Sequence, residues 1–231
     1  MLKAVILPGM DGTGSLLSDF VQSLGRHFDV QVVAYPPDEP LGYRQLHEFV
    51  RARLPAGEFV LIAESFSGPI ALSLAREASA GMKALVLCAS FARVDLPGKA
   101  WLSRCASFVP FRSPPVSMLS ILLWGRWRTR ERVDALRLAL SHVHSDVIRV
   151  RAIEALSVDA TRDNATVAVP TLCLQASQDR LIGQSAAKVL AGIVPGMQVH
   201  RFDAPHFLLQ IRAEECAQVV ATFVSEVRSG L

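Results

Sequence analysis

The sequence predicts an α/β fold with a doubly wound parallel sheet of about six strands, interrupted after the fourth strand by a helical insertion. Three observations support this prediction. Short apolar runs rich in β-branched residues alternate with longer helical patterns along the chain. The first five runs are almost uninterrupted, as expected of parallel strands that are covered on both faces. Residues 91–160 break the alternation, which indicates an insertion.

The predicted strands are apolar runs, and helical patterns lie between them. In chain order, the strands are Lys3–Leu7, Val30–Tyr35, Phe59–Ala63, Ala84–Cys88, Thr171–Leu174 and Met197–Phe202. The helical patterns outside the insertion cover residues 15–26, 43–53, 66–79, 183–192 and 211–228. Strand–helix–strand repetition of this kind is typical of a parallel sheet with helices on both faces.

The insertion begins with several prolines, which are loop signals, and then continues as helical patterns. These patterns lie around residues 116–127, 130–143 and 145–157. We therefore expect a core formed by residues 1–90 and 161–231, and a helical cap, or lid, at residues 91–160. Long insertions beside a rigid sheet commonly carry binding or lid functions.

Composition and charge exclude several classes of protein. Of the 231 residues, 51% are hydrophobic and 19% are charged, so the chain is neither disordered nor dependent on disulfides for its core. A net charge of +3 is too small to indicate nucleic-acid binding by itself. The four cysteines are scattered without a CxxC pair, which favours free thiols in a reducing compartment. The first apolar run is too short for a signal peptide and no window approaches a membrane span, so we expect a cytoplasmic protein.

A candidate nucleophile follows the third predicted strand. The apolar run at residues 59–63 leads directly to Ser65, and a helical pattern then begins. A serine between small residues in a tight strand–helix turn is typical of a nucleophile elbow, which holds the hydroxyl at the carboxyl end of the sheet. Ala63 and Ser67 replace the two glycines of the G-x-S-x-G pattern, and both are small enough for the turn. The alternative is a serine that merely caps the helix.

Two further strand ends supply the base and the carboxylate that a nucleophilic serine requires. Asp179 follows the fifth predicted strand, and His206 follows the sixth. Both residues therefore fall at the same edge of the sheet as Ser65, where ligands bind in open α/β sheets. The sequence predicts a Ser65–Asp179–His206 triad in the chain order of this elbow. The rival acids are Asp203, Asp159 and Asp163.

The loop after the first predicted strand is rich in glycine and reads Leu-Pro-Gly-Met-Asp-Gly-Thr-Gly at residues 7–14. Glycines allow a backbone to approach a ligand closely. An oxyanion hole needs two N–H donors, one from this loop and one from the residue after the nucleophile. We therefore expect the backbone N–H groups of Met10 and Phe66 to form the hole. A phosphate-binding loop is the alternative, but neither G-K-[ST] nor G-x-G-x-x-G is present.

With this triad order and this loop, the chain resembles the α/β hydrolases over essentially its whole length. The resemblance implies a sheet that begins at the family's third strand, without the usual leading antiparallel hairpin. Within the family, residues 7–14 resemble the phytyl ester synthase group, whose members are acyltransferases. The short chain with a helical cap resembles the pimeloyl-carrier-protein methyl ester esterases in architecture. In those proteins, basic cap residues hold an acidic carrier protein.

The expected activity is that of a serine carboxylesterase, which forms an acyl-enzyme with a small or medium-chain acyl ester. The resemblance extends the expected substrates to esters carried by a protein. An acyltransferase or a thioesterase would use the same triad, and a binding protein on a hydrolase scaffold would leave the serine idle. No cofactor or metal is expected, because the sequence lacks a metal-ligand spacing such as HExxH.

The cap is expected to select the substrate. The predicted acyl pocket is lined by Trp101, Phe111, Leu122 and Trp124, and the alternative for this apolar stripe is simple packing of the cap on the core. A basic run follows the stripe at Arg126, Arg128, Arg130 and Arg132. It has three interpretations: a solvated helix face, a surface for an acidic acyl carrier protein, or, with two neighbouring tryptophans, a membrane contact. Nucleic acid is not an expected partner, because no binding module is recognised.

Overall fold

The protein is described by a computed structural model, in which residues 1–77, 81–94, 116–162 and 165–230 are placed. Its centre is a six-stranded sheet in the order β2-β1-β3-β4-β5-β6, and every neighbouring pair is parallel. The strands are β1 Lys3–Leu7, β2 Asp29–Val32, β3 Phe59–Glu64, β4 Met82–Cys88, β5 Thr171–Ala176 and β6 Gln198–Phe202. The predicted parallel sheet is confirmed.

The sheet separates two apolar cores, because successive side chains of a strand point to opposite faces. On β3, Val60 and Ile62 pack in one core, whereas Leu61 and Ala63 pack in the other. All six residues of β3 are buried, since strands cover it on both sides and helices cover both faces. The edge strand β6 is exposed along most of its length. The candidate nucleophile thus follows the most enclosed part of the sheet.

Helices cover both faces, as the predicted doubly wound arrangement requires. Outside the insertion they are α1 Ser18–Leu24, α2 Tyr43–Arg51, α3 Gly68–Arg76, α7 Ala186–Ile193, α8 Leu208–Ile211 and α9 Ala213–Ser229. The apolar sides of α1, α8 and α9 line the core that contains Val60. The apolar sides of α2, α3 and α7 line the opposite core.

Three helices of the insertion lie within the described residues, between β4 and β5. They are α4 Val116–Trp124, α5 Arg130–Ser141 and α6 Ser145–Ser157. The first predicted helix of the insertion ends at Trp124, earlier than expected. The reason is that Gly125 has a φ of 53° and begins a 3-10 turn. Trp124 and Leu136 form a small apolar cluster with Phe207, so α4 and α5 pack against the segment that follows β6. The division into a core and a cap stays a prediction.

The second strand differs from its predicted extent. It ends at Val32, although the apolar pattern continues to Tyr35. The N–H of Tyr35 donates to the carbonyl of Gly12 at 2.8 Å, so the chain leaves the sheet to contact the glycine-rich loop. After this departure, the Tyr35 hydroxyl lies 2.5 Å from the Ser67 hydroxyl in the turn that follows β3. Among the helices that the structure describes, none has the length and apolar character needed to cross a bilayer.

Candidate active site

Ser65 lies in a tight turn between β3 and α3. Its φ is 47°, a conformation that non-glycine residues rarely adopt and that is common where a functional side chain must be held in place. A 3-10 turn at Ser65–Ser67 leads directly into α3. The Ser90 hydroxyl donates to the carbonyl of Ser65 at 2.7 Å, and a Cβ on Gly68 would overlap this hydroxyl. The turn therefore has the geometry of the predicted elbow, with Gly68 required by close packing.

The structure brings Ser65, His206 and Asp179 into one hydrogen-bonded series. Ser65 Oγ lies 2.9 Å from His206 Nε2, and Asp179 Oδ2 lies 2.8 Å from His206 Nδ1. An ionised carboxylate can only accept, so Nδ1 carries the proton and Nε2 is left to accept from the serine hydroxyl. Asp179 Oδ1 accepts from the N–H groups of Leu181 and Ile182, both at 2.8 Å. The side chains of His206 and Asp179 are only 2% and 3% exposed, so the series is shielded from water.

The rival acids are engaged elsewhere. Asp203 forms an ion pair with Arg126 at 2.5 Å. Asp159 accepts from the N–H of Thr161 at 3.1 Å, and the Thr161 hydroxyl also donates to it. Asp163 lies outside the described residues. Asp179 is thus the predicted acid that contacts the histidine, and its catalytic role stays a prediction.

The glycine-rich loop lies against the elbow. The Ser67 hydroxyl donates to the carbonyl of Pro8, and the N–H of Gly9 donates to Glu64 Oε2 at 3.1 Å. These bonds bring the segment that contains Met10 beside the turn that contains Phe66. Both predicted oxyanion donors therefore belong to segments that meet at the serine. Their role as donors stays a prediction.

Glu64 is a buried carboxyl group that sequence reasoning missed. Burial raises its pKa to about 7, and the nearby Asp11 adds to this effect, whereas bonds from Gln210 and Gly9 and the proximity of His206 oppose it. Gln210 Nε2 donates to Glu64 Oε1 at 2.7 Å, so the carboxyl group links α8 to the elbow. The available signal was an acidic residue at the end of an otherwise apolar strand.

Arg151 is a second missed residue. Its side chain is fully buried, and its guanidinium donates to the backbone carbonyls of Met10 and Asp11 at 3.0 and 2.9 Å. A third bond reaches the carbonyl of Pro36 at 2.9 Å. In the sequence, Arg151 is indistinguishable from Arg149, which lies on the same helix and pairs with a surface aspartate. No sequence signal separated the buried arginine from the exposed one.

The predicted acyl-pocket residues have different outcomes. Trp124 is buried and packs edge-on against Phe207, with 4.9 Å between ring centroids. This contact is packing of the insertion on the core, which was the alternative interpretation of the stripe. Leu122 is partly buried on the same helix. Trp101 and Phe111 lie outside the described residues.

Most arginines of the predicted basic run form ion pairs or hydrogen bonds within the chain. Arg126 pairs with Asp203 and lies over the ring of Trp127, with 4.2 Å from the guanidinium carbon to the ring centroid. Arg128 donates to the Ser120 hydroxyl at 2.7 Å, and Arg132 donates to the Trp127 carbonyl at 2.5 Å. Arg130 pairs with Asp134 at 3.9 Å, and 91% of its side chain is accessible. Among the described residues, no cluster of histidine, cysteine, aspartate or glutamate could hold a metal ion.

A parallel sheet with helices on both faces, and a serine elbow opposed by a histidine and an aspartate from later strand ends, defines the α/β hydrolase class. The chain belongs more particularly to the serine aminopeptidase S33 family, whose model matches residues 42–211. No curated protein matches the chain.

Solved structures of hydrolases share the fold at low sequence identity. A hydrolase from Pseudomonas aeruginosa has a TM-score of 0.81 and 18% identity, and the match covers 96% of this chain and 89% of that one. An enol-lactonase from Burkholderia xenovorans has a TM-score of 0.79 and 18% identity, with 97% and 91% covered. A thermophilic esterase from Thermogutta terrifontis has a TM-score of 0.79 and 19% identity, with 98% and 90% covered.

Proposed function

We propose that the protein is a serine carboxylic-ester hydrolase that forms an acyl-enzyme on Ser65. The observation that carries this proposal is the buried series from Ser65 through His206 to Asp179, with separations of 2.9 and 2.8 Å. The relatives named as an esterase and an enol-lactonase support an ester as the substrate class. Small or medium-chain acyl esters are the proposed substrates.

The proposed reaction has two halves. In the first, His206 Nε2 takes the Ser65 proton while Oγ attacks the acyl carbon, and the carbonyl oxygen becomes an oxyanion that accepts from the N–H groups of Met10 and Phe66. The C–O bond to the leaving alcohol then breaks, and His206 gives the alcohol its proton. In the second half, His206 takes a proton from water, the hydroxide attacks the acyl-serine, and Ser65 regains its proton as the acid leaves. Asp179 orients the ring and stabilises the imidazolium in both halves.

The test is hydrolysis of p-nitrophenyl esters from acetate to laurate, with Ser65→Ala as the variant. We expect turnover by the natural protein and a loss of about 10³-fold or more in the variant, because the nucleophile is absent. Ser73→Ala, on the helix after the elbow, is the matched control and should retain activity. Labelling of Ser65 by a fluorophosphonate provides a second readout. No turnover on any ester together with no labelling would overturn the proposal and favour a binding protein.

The same assay separates the alternatives that share the triad. An added alcohol acceptor would divert the acyl group from water in an acyltransferase, and a thioesterase would prefer thioesters to oxygen esters. The family's description raises peptide bonds as a second substrate class, because an amine can leave from the same tetrahedral intermediate. Aminoacyl p-nitroanilides test this class. Preferential turnover of any of these substrates would replace the ester assignment while leaving the Ser65 mechanism in place.

An acidic acyl carrier protein is the proposed partner, and Arg130 is its proposed main contact. The exposure of Arg130 supports this choice. Its pair with Asp134 is long, at 3.9 Å, whereas the neighbouring arginines form shorter bonds within the chain. Arg130→Glu should lower kcat/KM for a carrier-linked ester and leave the p-nitrophenyl ester unchanged, because only the former reaches the charged surface. Equal effects on both substrates would contradict the proposal. Binding to anionic vesicles would favour the membrane alternative.

A further inference from the structure

We propose that helix α6 is the scaffold of the oxyanion hole, with Arg151 and Glu154 as positioning residues for its two backbone donors. The two side chains lie three residues apart on α6 and reach different segments of the candidate site. This inference rests on the proposed function, because it takes the N–H groups of Met10 and Phe66 as the donors.

Arg151 fixes the peptide units that follow the first donor. Its Nη1 donates to the carbonyls of Met10 and Asp11, and its Nη2 donates to the carbonyl of Pro36 on the neighbouring segment. A planar guanidinium offers several donors in a rigid fork, so one side chain can hold three carbonyl groups at once. The backbone on the C-terminal side of Met10 is therefore tied to α6 rather than free in solvent.

The peptide unit between Gly9 and Met10, which contains the first donor, is held through its carbonyl group. The carbonyl of Gly9 and the N–H of Met10 belong to one planar trans peptide, so they point in opposite directions. The N–H of Gly12 donates to this Gly9 carbonyl at 3.0 Å. Gly12 in turn packs against Arg151, because a Cβ at this position would overlap Nη1. The direction of the Met10 N–H thus depends on a turn that is packed on the arginine.

Glu154 acts on the second donor through Tyr43. Its Oε2 accepts from the N–H of Tyr43 at 2.8 Å. The Tyr43 ring stacks on Phe66 with 4.7 Å between centroids and 17° between planes, and its hydroxyl donates to the carbonyl of Phe66 at 2.9 Å. Burial raises the pKa of Tyr43 well above its ordinary value, so the hydroxyl remains a donor. The side chain and the carbonyl of Phe66 are both held by a residue that α6 positions.

The test compares Arg151→Lys and Tyr43→Phe with the matched control Arg149→Lys. Lysine keeps the charge at position 151, but its single nitrogen cannot occupy the positions of both Nη1 and Nη2. Phenylalanine keeps the ring at position 43 but removes the bond to Phe66. We expect kcat for a p-nitrophenyl ester to fall about 10- to 100-fold in each variant, with little change in KM. The reason is that misplaced N–H groups of Met10 and Phe66 weaken binding of the oxyanion, which forms mainly in the transition state. Arg149 bonds to Asp146 at the surface, so its variant should keep kcat.

A second readout separates positioning from general damage. A trifluoromethyl ketone adds to the serine and places an anionic oxygen in the hole, so its inhibition constant should weaken by the same factor as kcat in each variant. If Arg151→Lys fails to fold, Glu154→Ala and Glu154→Gln carry the test: alanine should lower kcat, whereas glutamine keeps an acceptor for the Tyr43 N–H and should restore it.

Two outcomes overturn the inference. Folded variants whose kcat matches Arg149→Lys would show that α6 does not position the donors. A lower kcat with unchanged inhibition by the ketone would place the defect outside the hole. Either result leaves the proposed function intact, provided that hydrolysis by the natural protein depends on Ser65. Absence of Ser65-dependent hydrolysis in the natural protein would instead end the proposed function and this inference with it.

Discussion

The carboxyl group of Glu64 occupies an environment that favours its neutral form. It is buried beside the candidate nucleophile, and it accepts from the N–H of Gly9 and from Gln210. Those two bonds hold the glycine-rich loop and α8 on the same side chain. Burial still dominates and raises the pKa of Glu64 to about 7, so this carboxyl group titrates near neutral pH.

The stability of the protein should depend on pH through Glu64. The pKa in the folded protein, about 7, lies above the ordinary value of 4.5, so the folded state holds this proton more tightly than the unfolded chain. The contribution of the tightly held Glu64 proton to the free energy of unfolding is present at low pH. It is lost as the pH rises through the pKa of Glu64 in the folded protein. Glu64→Gln should therefore raise the free energy of unfolding relative to the natural protein at pH 8, by up to about 3 kcal/mol, with a smaller difference at pH 5.

Urea denaturation at the two pH values measures this difference. Gln210 can turn its amide to accept from the new glutamine, so the substitution removes the charge and keeps a hydrogen bond between the two side chains. Glu58→Gln is the control, because the bond from Lys83 lowers the pKa of this exposed carboxyl group and the dependence should have the opposite sign. If the difference in unfolding free energy between Glu64→Gln and the natural protein did not vary with pH, the raised pKa of Glu64 would be contradicted.

Single substitutions also test which aspartate serves as the acid of the proposed triad. Asp179→Asn should lower kcat for a p-nitrophenyl ester by about 10⁴-fold, because an amide no longer enforces the tautomer of His206 that accepts from the serine. Asp203→Asn is the matched control: it removes only the exposed pair with Arg126, so kcat should change by about 3-fold or less. Loss of activity in Asp203→Asn but not in Asp179→Asn would reverse the assignment.

At the level of elements, the glycine-rich loop is shaped by the helix that contacts it. Gly12 has a φ of 74°, and Arg151 occupies the space that its side chain would need. Gly196 has almost the same φ, 75°, but no atom lies within 4 Å of its missing Cβ. Both glycines have a positive φ, but only Gly12 has atoms in the space of a Cβ. Comparing the two positions therefore separates the cost of backbone strain from the cost of steric overlap.

Alanine at each position should separate these effects in a stability measurement. Gly196→Ala should cost about 1 kcal/mol, since the left-handed conformation alone is penalised. Gly12→Ala should cost at least about 2 kcal/mol more, because the buried guanidinium must move. It should also lower kcat, as the loop that contains Met10 shifts. Thermal or urea denaturation gives the energies, and equal costs at the two positions would contradict the packing role of Arg151.

Across the whole molecule, the features that the sequence predicted well are those encoded by local patterns. The apolar runs located the strands, and residues that follow strand ends located Ser65, Asp179 and His206 at one edge of the sheet. The end of β2 was wrong, because the Tyr35 N–H bonds to a carbonyl in a distant loop rather than to the sheet.

Glu64 and Arg151 could not be predicted, because their roles depend on partners far away in sequence. Glu64 contacts Gly9 across 55 residues, and Arg151 contacts Met10 across 141. A charged residue in a strand or helix pattern gives no information about such contacts. The predicted pocket residues Trp101 and Phe111 remain predictions, since they lie outside the described part of the chain.

The long separations within the site have a consequence for protein synthesis. Ser65 and His206 are also 141 residues apart, so the serine leaves the ribosome long before the histidine that contacts it. The loop at Met10 emerges earlier still and meets Arg151 only after most of the insertion has been made. A nascent chain that stops within the insertion therefore carries an unpaired serine and an untethered loop. For the proposed ester hydrolysis, we therefore expect activity only after β6 has joined the sheet and His206 has reached Ser65.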